Sequence, residues 1–286
     1  MKQHEGAHGK LHLEFTRGAN GQTRLIGQQQ QPPLQVIRAF DLEDGASLAH
    51  LHNISGGVLG GDRLETVIDV GPMASVQLTT TGATRLYRPR AGDRIAVQTT
   101  DVTVATGGLL EYLPDPLIPY AGACYRQEMR FTLADGAGLF WWETLSPGRV
   151  AHGESFAYEL LEMSVDLTAA GRLISRERAR LQPHLRPLSY TIRLGRYSHF
   201  CTFYICRVGE PPARWVELEA ELGALAQACG RGEDTLWGVS ALPQHGLCLR
   251  GVSRTGRDFP AHLITFWGAA KRALYGREPL PPRKVY

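Results

Sequence analysis

The feature that most constrains this chain is the alternation of apolar and polar residues, interrupted by pairs of glycines. The alternation is clearest in Asp62–Val70, Tyr158–Leu167 and Arg172–Leu181. Alternate residues of an extended backbone point to the same side, so each segment is predicted to be a strand with one apolar face. Glycine pairs such as Gly56-Gly57 and Gly107-Gly108 separate such strands. The pattern predicts a large, mainly β body whose strands are mostly antiparallel.

The predicted strand Arg172–Leu181 differs between its two sides. Four arginines make one side basic. The other side carries Leu173, Ser175, Glu177, Ala179 and Leu181. We therefore expect the second side to face the interior.

Two segments nearer the C-terminus follow a helical period. Apolar residues recur at steps of three and four in both Ala213–Cys229 and Asp258–Tyr275. Asp258 can cap the second helix, and Gly230 and Gly276 follow the two stripes, as is typical of helix ends. The stripe of the first helix consists of Trp215, Leu218, Leu222 and Leu225. Such stripes usually pack on the core, although this one is also a candidate docking face for a partner.

Composition is ordinary for a globular protein, with 43% hydrophobic and 21% charged residues among 286. No long linker divides the chain, so we expect one domain over residues 1–286 with loose tails at 1–8 and 277–286. A net charge of +3 is too small to indicate a protein that binds nucleic acid or a membrane surface. The N-terminus lacks the apolar segment of a signal peptide, and no apolar run approaches the roughly 18 residues of a membrane span. The expected compartment is the cytoplasm.

The sequence lacks the common enzymatic motifs: a P-loop, an H-E-x-x-H zinc motif, a C-x-x-C pair and a G-x-S-x-G elbow. His50 and His52 lie two apart on a predicted strand and could ligate nickel or zinc. Hydrogen-bonded histidines are the favoured interpretation, because no third ligand is in register. Cys201 and Cys206 are five apart, which places them on opposite faces of a strand and argues against a shared site.

Two carboxylates fall on predicted apolar faces. Glu143 alternates with tryptophan and leucine, and Glu177 lies between Ser175 and Ala179. An inward carboxylate requires a partner, a metal, water or a raised pKa. Three interpretations remain open: an internal ion pair, for example with Arg149, a local bulge that turns the residue outward, or a polar internal cavity.

The segment Ser55–Asp62 contains four glycines in six positions. Such a segment either needs backbone with positive φ or is closely approached by other groups. A glycine-rich turn capped by the side chain of Asp62 is the plain interpretation. A phosphate loop is disfavoured because no lysine or helical pattern follows.

Five motifs together resemble a known family. In chain order they are Ser55–Asp62, Thr79–Pro89, Leu110–Pro116, the stretch from Glu143 through Gly148-Arg149 to Gly153-Glu154, and Leu263–Gly276 with its Pro-Pro-Arg tail. In this order they resemble the UreD family of urease accessory proteins, called UreH in some organisms. The resemblance covers nearly the whole chain.

This resemblance implies a fold and a role without enzymatic activity. The expected fold is a stacked-strand, solenoid-like β body with two C-terminal helices. The expected role is urease maturation: a scaffold holds a UreF-like protein, which docks a UreG-like GTPase, and the complex loads nickel into apo-urease. GTP hydrolysis would reside in the UreG-like partner. No tightly bound cofactor is implied, only transient Ni²⁺.

The resemblance also suggests a path for nickel through an internal tunnel. Asp62, Glu143 and Glu177 are its candidate metal-contacting residues, and Thr80 is a candidate lining residue. No partner-binding residue is assigned. Two alternatives remain: a β-fold hydrolase that uses Asp62 and Glu143 as an acid/base pair, and a passive β scaffold.

Overall fold

The computed structural model describes residues 6–90, 92–230 and 234–282. It contains eighteen strands, two α-helices and one short 3-10 turn (Val150–His152). The first nine strands are β1 (His8–Arg17), β2 (Thr23–Gln31), β3 (Leu34–Gln35), β4 (Ala39–Asp41), β5 (Ser47–Asn53), β6 (Arg63–Val70), β7 (Ser75–Thr80), β8 (Thr84–Leu86) and β9 (Ala96–Val104). The others are β10 (Leu109–Tyr112), β11 (Leu117–Pro119), β12 (Cys124–Leu133), β13 (Gly138–Leu145), β14 (Leu160–Ala169), β15 (Arg172–Leu181), β16 (His199–Arg207), β17 (Thr235–Ala241) and β18 (Gly246–Ser253). The helices are α1 (Pro212–Cys229) and α2 (Phe259–Tyr275).

The strands form two sheets. The smaller sheet has the order β15-β14-β12-β9-β6-β1-β2. The larger sheet has eleven strands and the main order β17-β18-β16-β13-β10-β7-β5-β3. From β5 to β14, and leaving aside the short strands β8 and β11, successive strands alternate between the two sheets. This alternation is compatible with the expected solenoid-like stacking.

The expectation of mostly antiparallel strands is wrong for the centre of both sheets. Strands β1, β6, β9, β12 and β14 pair in parallel in the smaller sheet, as do β5, β7, β10 and β13 in the larger one. Antiparallel pairs lie towards the sheet edges, such as β1 with β2 and β14 with β15. A period of two residues is the same for both pairings. The glycine pairs Gly56-Gly57 and Gly107-Gly108 do separate strands, but each connects a strand of one sheet to a strand of the other.

The main core lies between the sheets, where the predicted apolar faces meet. In β6 the residues Leu64 and Ile68 are buried, and the same holds for the apolar face of β14. Strand β15 departs from its predicted pattern at one place. The ladder shifts there, leaving Leu173 48% exposed and Ile174 buried. This bulge reverses the two faces locally while Glu177 keeps its predicted side.

Both helices cover the outer face of the larger sheet and form a second core with it. The α1 residues Trp215, Leu218 and Leu222 are buried there and Leu225 packs against them, so this stripe serves the core. Helix α2 starts after Asp258, which makes no capping bond with its side chain, and ends at Gly276 in a left-handed conformation with φ 61°.

The two tails were expected to be loose. At the N-terminus, the Ala7 amide donates to the Asp62 side chain, and β1 begins at His8. At the C-terminus, residues 277–282 lie against α2 and the larger sheet: the Leu280 carbonyl accepts a bond from Gln77, and Glu278 pairs with Arg272. Residues 1–5 and 283–286 lie outside the described residues. No helix within the described part of the chain has the length and apolarity to cross a membrane.

Candidate functional site

A cavity of about 270 Å³ lies between the two sheets. Its lining includes Thr80 and Glu143, two of the predicted path residues. Exposed lining residues such as Gly56, Gly82 and Arg85 mark its mouth. Buried residues mark its inner end, which adjoins Glu143: Tyr112, Gln127 and Trp141. Of the three interpretations left open for the inward carboxylates, the internal cavity is the one that applies to Glu143.

Glu143 is held at the inner end by an amide. The Gln127 side chain, from the opposite sheet, donates a short hydrogen bond to Glu143 Oε1. Arg149 does not serve as its partner, because Arg149 pairs with Glu154. The pKa of Glu143 is raised to about 7, chiefly by burial; the Gln127 hydrogen bond opposes the rise, and the nearby charge of Glu177 contributes to it. The group can therefore gain or lose a proton near neutral pH.

The polar character of the inner end extends across the smaller sheet. The Tyr125 hydroxyl lies 3.0 Å from Gln98 Oε1 and 3.1 Å from Gln127 Oε1. Burial and the charge of Glu143 raise the pKa of Tyr125 well above its usual range, so the hydroxyl keeps its proton. Its proton can serve only one of these acceptors at a time. The result is a row of oxygen-bearing side chains in a largely apolar interior.

Glu177 lies beyond the inner end, on edge strand β15. Its Oε2 accepts a 2.8 Å bond from the Tyr204 hydroxyl and lies 3.4 Å from Arg250 Nη2. The Glu177 side chain is 32% exposed. The residue is thus turned towards the interior as predicted, but it contacts solvent and an arginine, and it is not among the residues lining the cavity.

Thr80 lies at the end of β7, on the wall of the cavity. Its hydroxyl donates to Asp115 Oδ2 at 2.9 Å and accepts from the Asp115 amide at 2.8 Å. Asp115 also lines the cavity. This pair adds a second carboxylate to the cavity lining besides that of Glu143.

Asp62 has a different environment. Its carboxylate is buried, and the two oxygens accept bonds from the backbone amides of Ala7 and Leu59, each at 2.9 Å. The interpretation of Asp62 as the cap of the glycine-rich turn is confirmed. Asp62 is not among the cavity-lining residues. The structure therefore does not bring it to the cavity beside Glu143.

The other candidate ligands do not converge. His52 is on the cavity wall, and burial followed by the charge of His50 lowers its pKa, while the His50 ring packs edge-on to Phe40. Cys201 and Cys206 are buried in different cores, so they lie on opposite faces of β16 as predicted. Among the described residues, no group of three or more histidine, cysteine or acidic side chains is arranged to hold a metal ion.

Sequence reasoning missed a buried ionic cluster beneath α2. Lys271 is 1% exposed and lies 3.1 Å from Glu111 and 3.5 Å from Asp44. Glu111 also accepts a 2.8 Å bond from the Trp267 indole and a longer one from Gln77. Burial raises the pKa of Glu111, and the Lys271 charge opposes that rise. Two signals were available: Lys271 falls four residues after Trp267 on the apolar stripe, and Glu111 lies in a Leu-Glu-Tyr motif.

Comparison with known proteins gives a consistent result. The family model described as UreD urease accessory protein matches residues 7–286. A protein of Herpetosiphon aurantiacus named urease accessory protein UreD is 49% identical over 282 residues, which cover 99% of this chain and 98% of that protein. Proteins with the same name from Opitutus terrae and Cenarchaeum symbiosum are 33% and 36% identical, covering 87% and 82% of this chain and 88% and 80% of their own lengths.

Proposed function

The chain belongs to the UreD family of urease accessory proteins, and from this we propose that it is a scaffold that conducts nickel to apo-urease through its internal cavity. The single observation that supports this proposal most is the position of Glu143, an ionisable carboxylate at the inner end of a cavity between two sheets. Nickel is cargo in this proposal, not a resident cofactor.

The oxygen donors of the cavity suit the transfer of nickel better than its storage. Oxygen donors reach the cavity from Thr80, Asp115 and Glu143, and Glu177 lies within electrostatic range of Glu143. Divalent nickel binds such donors less tightly than clustered imidazoles or thiolates. A row of weak sites lets an ion enter and leave. Asp62 has the least support as a path residue, because both of its oxygens hold backbone amides.

The partners in this proposal follow from the family. The chain would hold a UreF-like protein, which docks a UreG-like GTPase, and the assembly would act on apo-urease in the cytoplasm. GTP hydrolysis would reside in the UreG-like partner. The alternative of a hydrolase that uses Asp62 and Glu143 has no geometric support, since only Glu143 lines the cavity.

The test is the nickel content of urease matured in cells that carry Glu143→Gln in this protein. This change keeps the side-chain shape and removes the ionisable group. We expect urease with several-fold less nickel and correspondingly lower activity, while the variant still copurifies with its partners. The matched control is Glu65→Gln, which alters an exposed carboxylate on the outer face of β6. Normal nickel loading by the Glu143 variant would refute the proposed path.

A further inference from the structure

Most arginines on the outer face of the smaller sheet are paired with carboxylates. The pairs are Arg126–Glu162, Arg130–Asp101, Arg176–Asp166, Arg178–Asp166 and Arg180–Glu162. Neighbouring strands supply both charges, so this basic face is largely neutralised. It offers little net charge to a partner.

The stretch that begins at Arg85 in β8 and continues through the connection to β9 is different. It carries four exposed arginines within ten residues: Arg85, Arg88, Arg90 and Arg94. Across the part of the chain that the structure describes, none of their guanidinium groups has an ion pair or hydrogen bond. The nearby Asp93 carboxylate accepts a bond from the backbone amide of Arg90 instead. We call these four residues the arginine surface.

The glycine-rich segment holds the arginine surface in place. The Val58 amide donates to the Arg85 carbonyl at 2.8 Å, and the Gly61 amide donates to the Arg94 carbonyl at 2.7 Å. A Cβ on Gly57 would lie 2.4 Å from the Tyr87 ring, and one on Gly60 would lie 2.5 Å from Pro89. The glycines are therefore needed for close contact between the two loops. These contacts position the backbone at Arg85 and at Arg94, the two ends of the arginine surface.

The arginine surface adjoins the mouth of the cavity, since Arg85 is itself a lining residue beside Gly56 and Gly57. Four arginines with one acidic residue, Asp93, among them leave net positive charge at this position, and such charge repels a divalent cation. A negatively charged partner bound at this position would reduce that repulsion for nickel at the mouth. Two exposed aliphatic side chains lie on or next to the glycine-rich segment: Leu59, 38% exposed, and Ile54, which directly precedes the segment and is 55% exposed. Arginine together with apolar groups is a composition typical of protein interfaces.

We propose that the arginine surface docks an acidic surface of the protein that receives the metal, and that docking neutralises the mouth of the cavity. This inference rests on the proposed function, which makes apo-urease that protein. Guanidinium groups suit the task because each can bind a carboxylate through two parallel hydrogen bonds. A partner that docks here binds directly beside the mouth of the cavity through which nickel is proposed to move.

The test compares two triple variants for binding to purified apo-urease from the same organism, in the presence of the UreF-like partner. The docking variant carries Arg88→Glu, Arg90→Glu and Arg94→Glu, and it leaves the cavity lining intact. The control carries Arg24→Glu, Arg172→Glu and Arg186→Glu, which change the same number of exposed arginines elsewhere. Binding is measured by surface plasmon resonance at low and at physiological salt.

We expect the docking variant to bind at least about tenfold more weakly than wild type, with a smaller dependence on salt, because charge pairs across the interface are lost. The control should bind like wild type. An equal loss of affinity in both variants, or no loss in the docking variant, would overturn the proposal that the arginine surface binds apo-urease. The proposed nickel path would still be tested separately by Glu143→Gln. Failure of the wild-type protein to bind apo-urease would overturn both.

Discussion

Glu143→Gln should make the protein more stable, and the gain should grow with pH. The carboxyl has a pKa of about 7 in the folded protein, against 4.5 for the ordinary group. Between these values the folded protein binds a proton that the unfolded chain has released. Stability therefore falls as pH rises through this window, and above it the ionised carboxylate lowers the free energy of unfolding by about 3 kcal/mol.

The neutral amide of the variant has no such penalty. We expect Glu143→Gln to exceed wild type by up to about 3 kcal/mol near pH 8, and by about 2 kcal/mol less near pH 5.5, where the wild-type group is mostly protonated when folded. Water in the cavity would reduce both values. The Gln127 amide can still donate to the substituted side chain, so little packing should change.

The assay is urea unfolding followed by tryptophan fluorescence at a series of pH values. Glu65→Gln is the control: its side chain is 58% exposed, so its curve should run parallel to that of wild type. Parallel curves for Glu143→Gln and wild type would show that the Glu143 carboxyl titrates in the folded protein as it does in the unfolded chain. The argument from burial would then be refuted.

Three further outcomes are expected. Lys271→Met should lower the free energy of unfolding by roughly 3–5 kcal/mol in the same assay, because it leaves the buried Glu111 carboxylate without its cation. The control Lys10→Met, on the surface, should lower it by about 1 kcal/mol or less. Equal losses in the two variants would contradict a stabilising role for the ionic cluster. Glu177→Gln removes a negative charge that raises the pKa of Glu143, so the pH-dependent loss of stability should end at lower pH; an unchanged midpoint would exclude that coupling. Gly57→Ala should lower the melting temperature, since its Cβ would lie 2.4 Å from an aromatic ring; an unchanged melting curve would show that the two loops separate freely.

The period of two residues located the strands β6, β14 and β15 and placed Glu143 of β13 on an inward face. It works best in the smaller sheet, where one face lies on the main core and burial follows the alternation. The central strands of the larger sheet are buried on both faces, because the helices cover the outer one. It did not give strand direction, since parallel and antiparallel strands alternate in the same way. It also missed the bulge at Ile174, where one extra residue shifts the ladder.

The candidate site was predicted only in part, because the period of two residues carries no information about contacts between strands. Sequence pattern tells which face a carboxylate occupies but not what meets it there. Glu143 meets an amide across the cavity, Glu177 meets Tyr204 and an arginine, and Asp62 meets backbone amides. The Lys271 cluster joins residues about 160 positions apart, and a single sequence does not reveal such pairings.

The Lys271 cluster can form only after the C-terminal part of the chain has been translated. Glu111 and Gln77 belong to strands made early, whereas Lys271, Trp267 and the Leu280 carbonyl come from the last part of the chain. Until α2 leaves the ribosome, the outer face of the larger sheet has only α1 as its cover, and the Glu111 carboxylate lacks its cation. A nascent chain stalled before α2 would therefore present an apolar, negatively charged face to the cell.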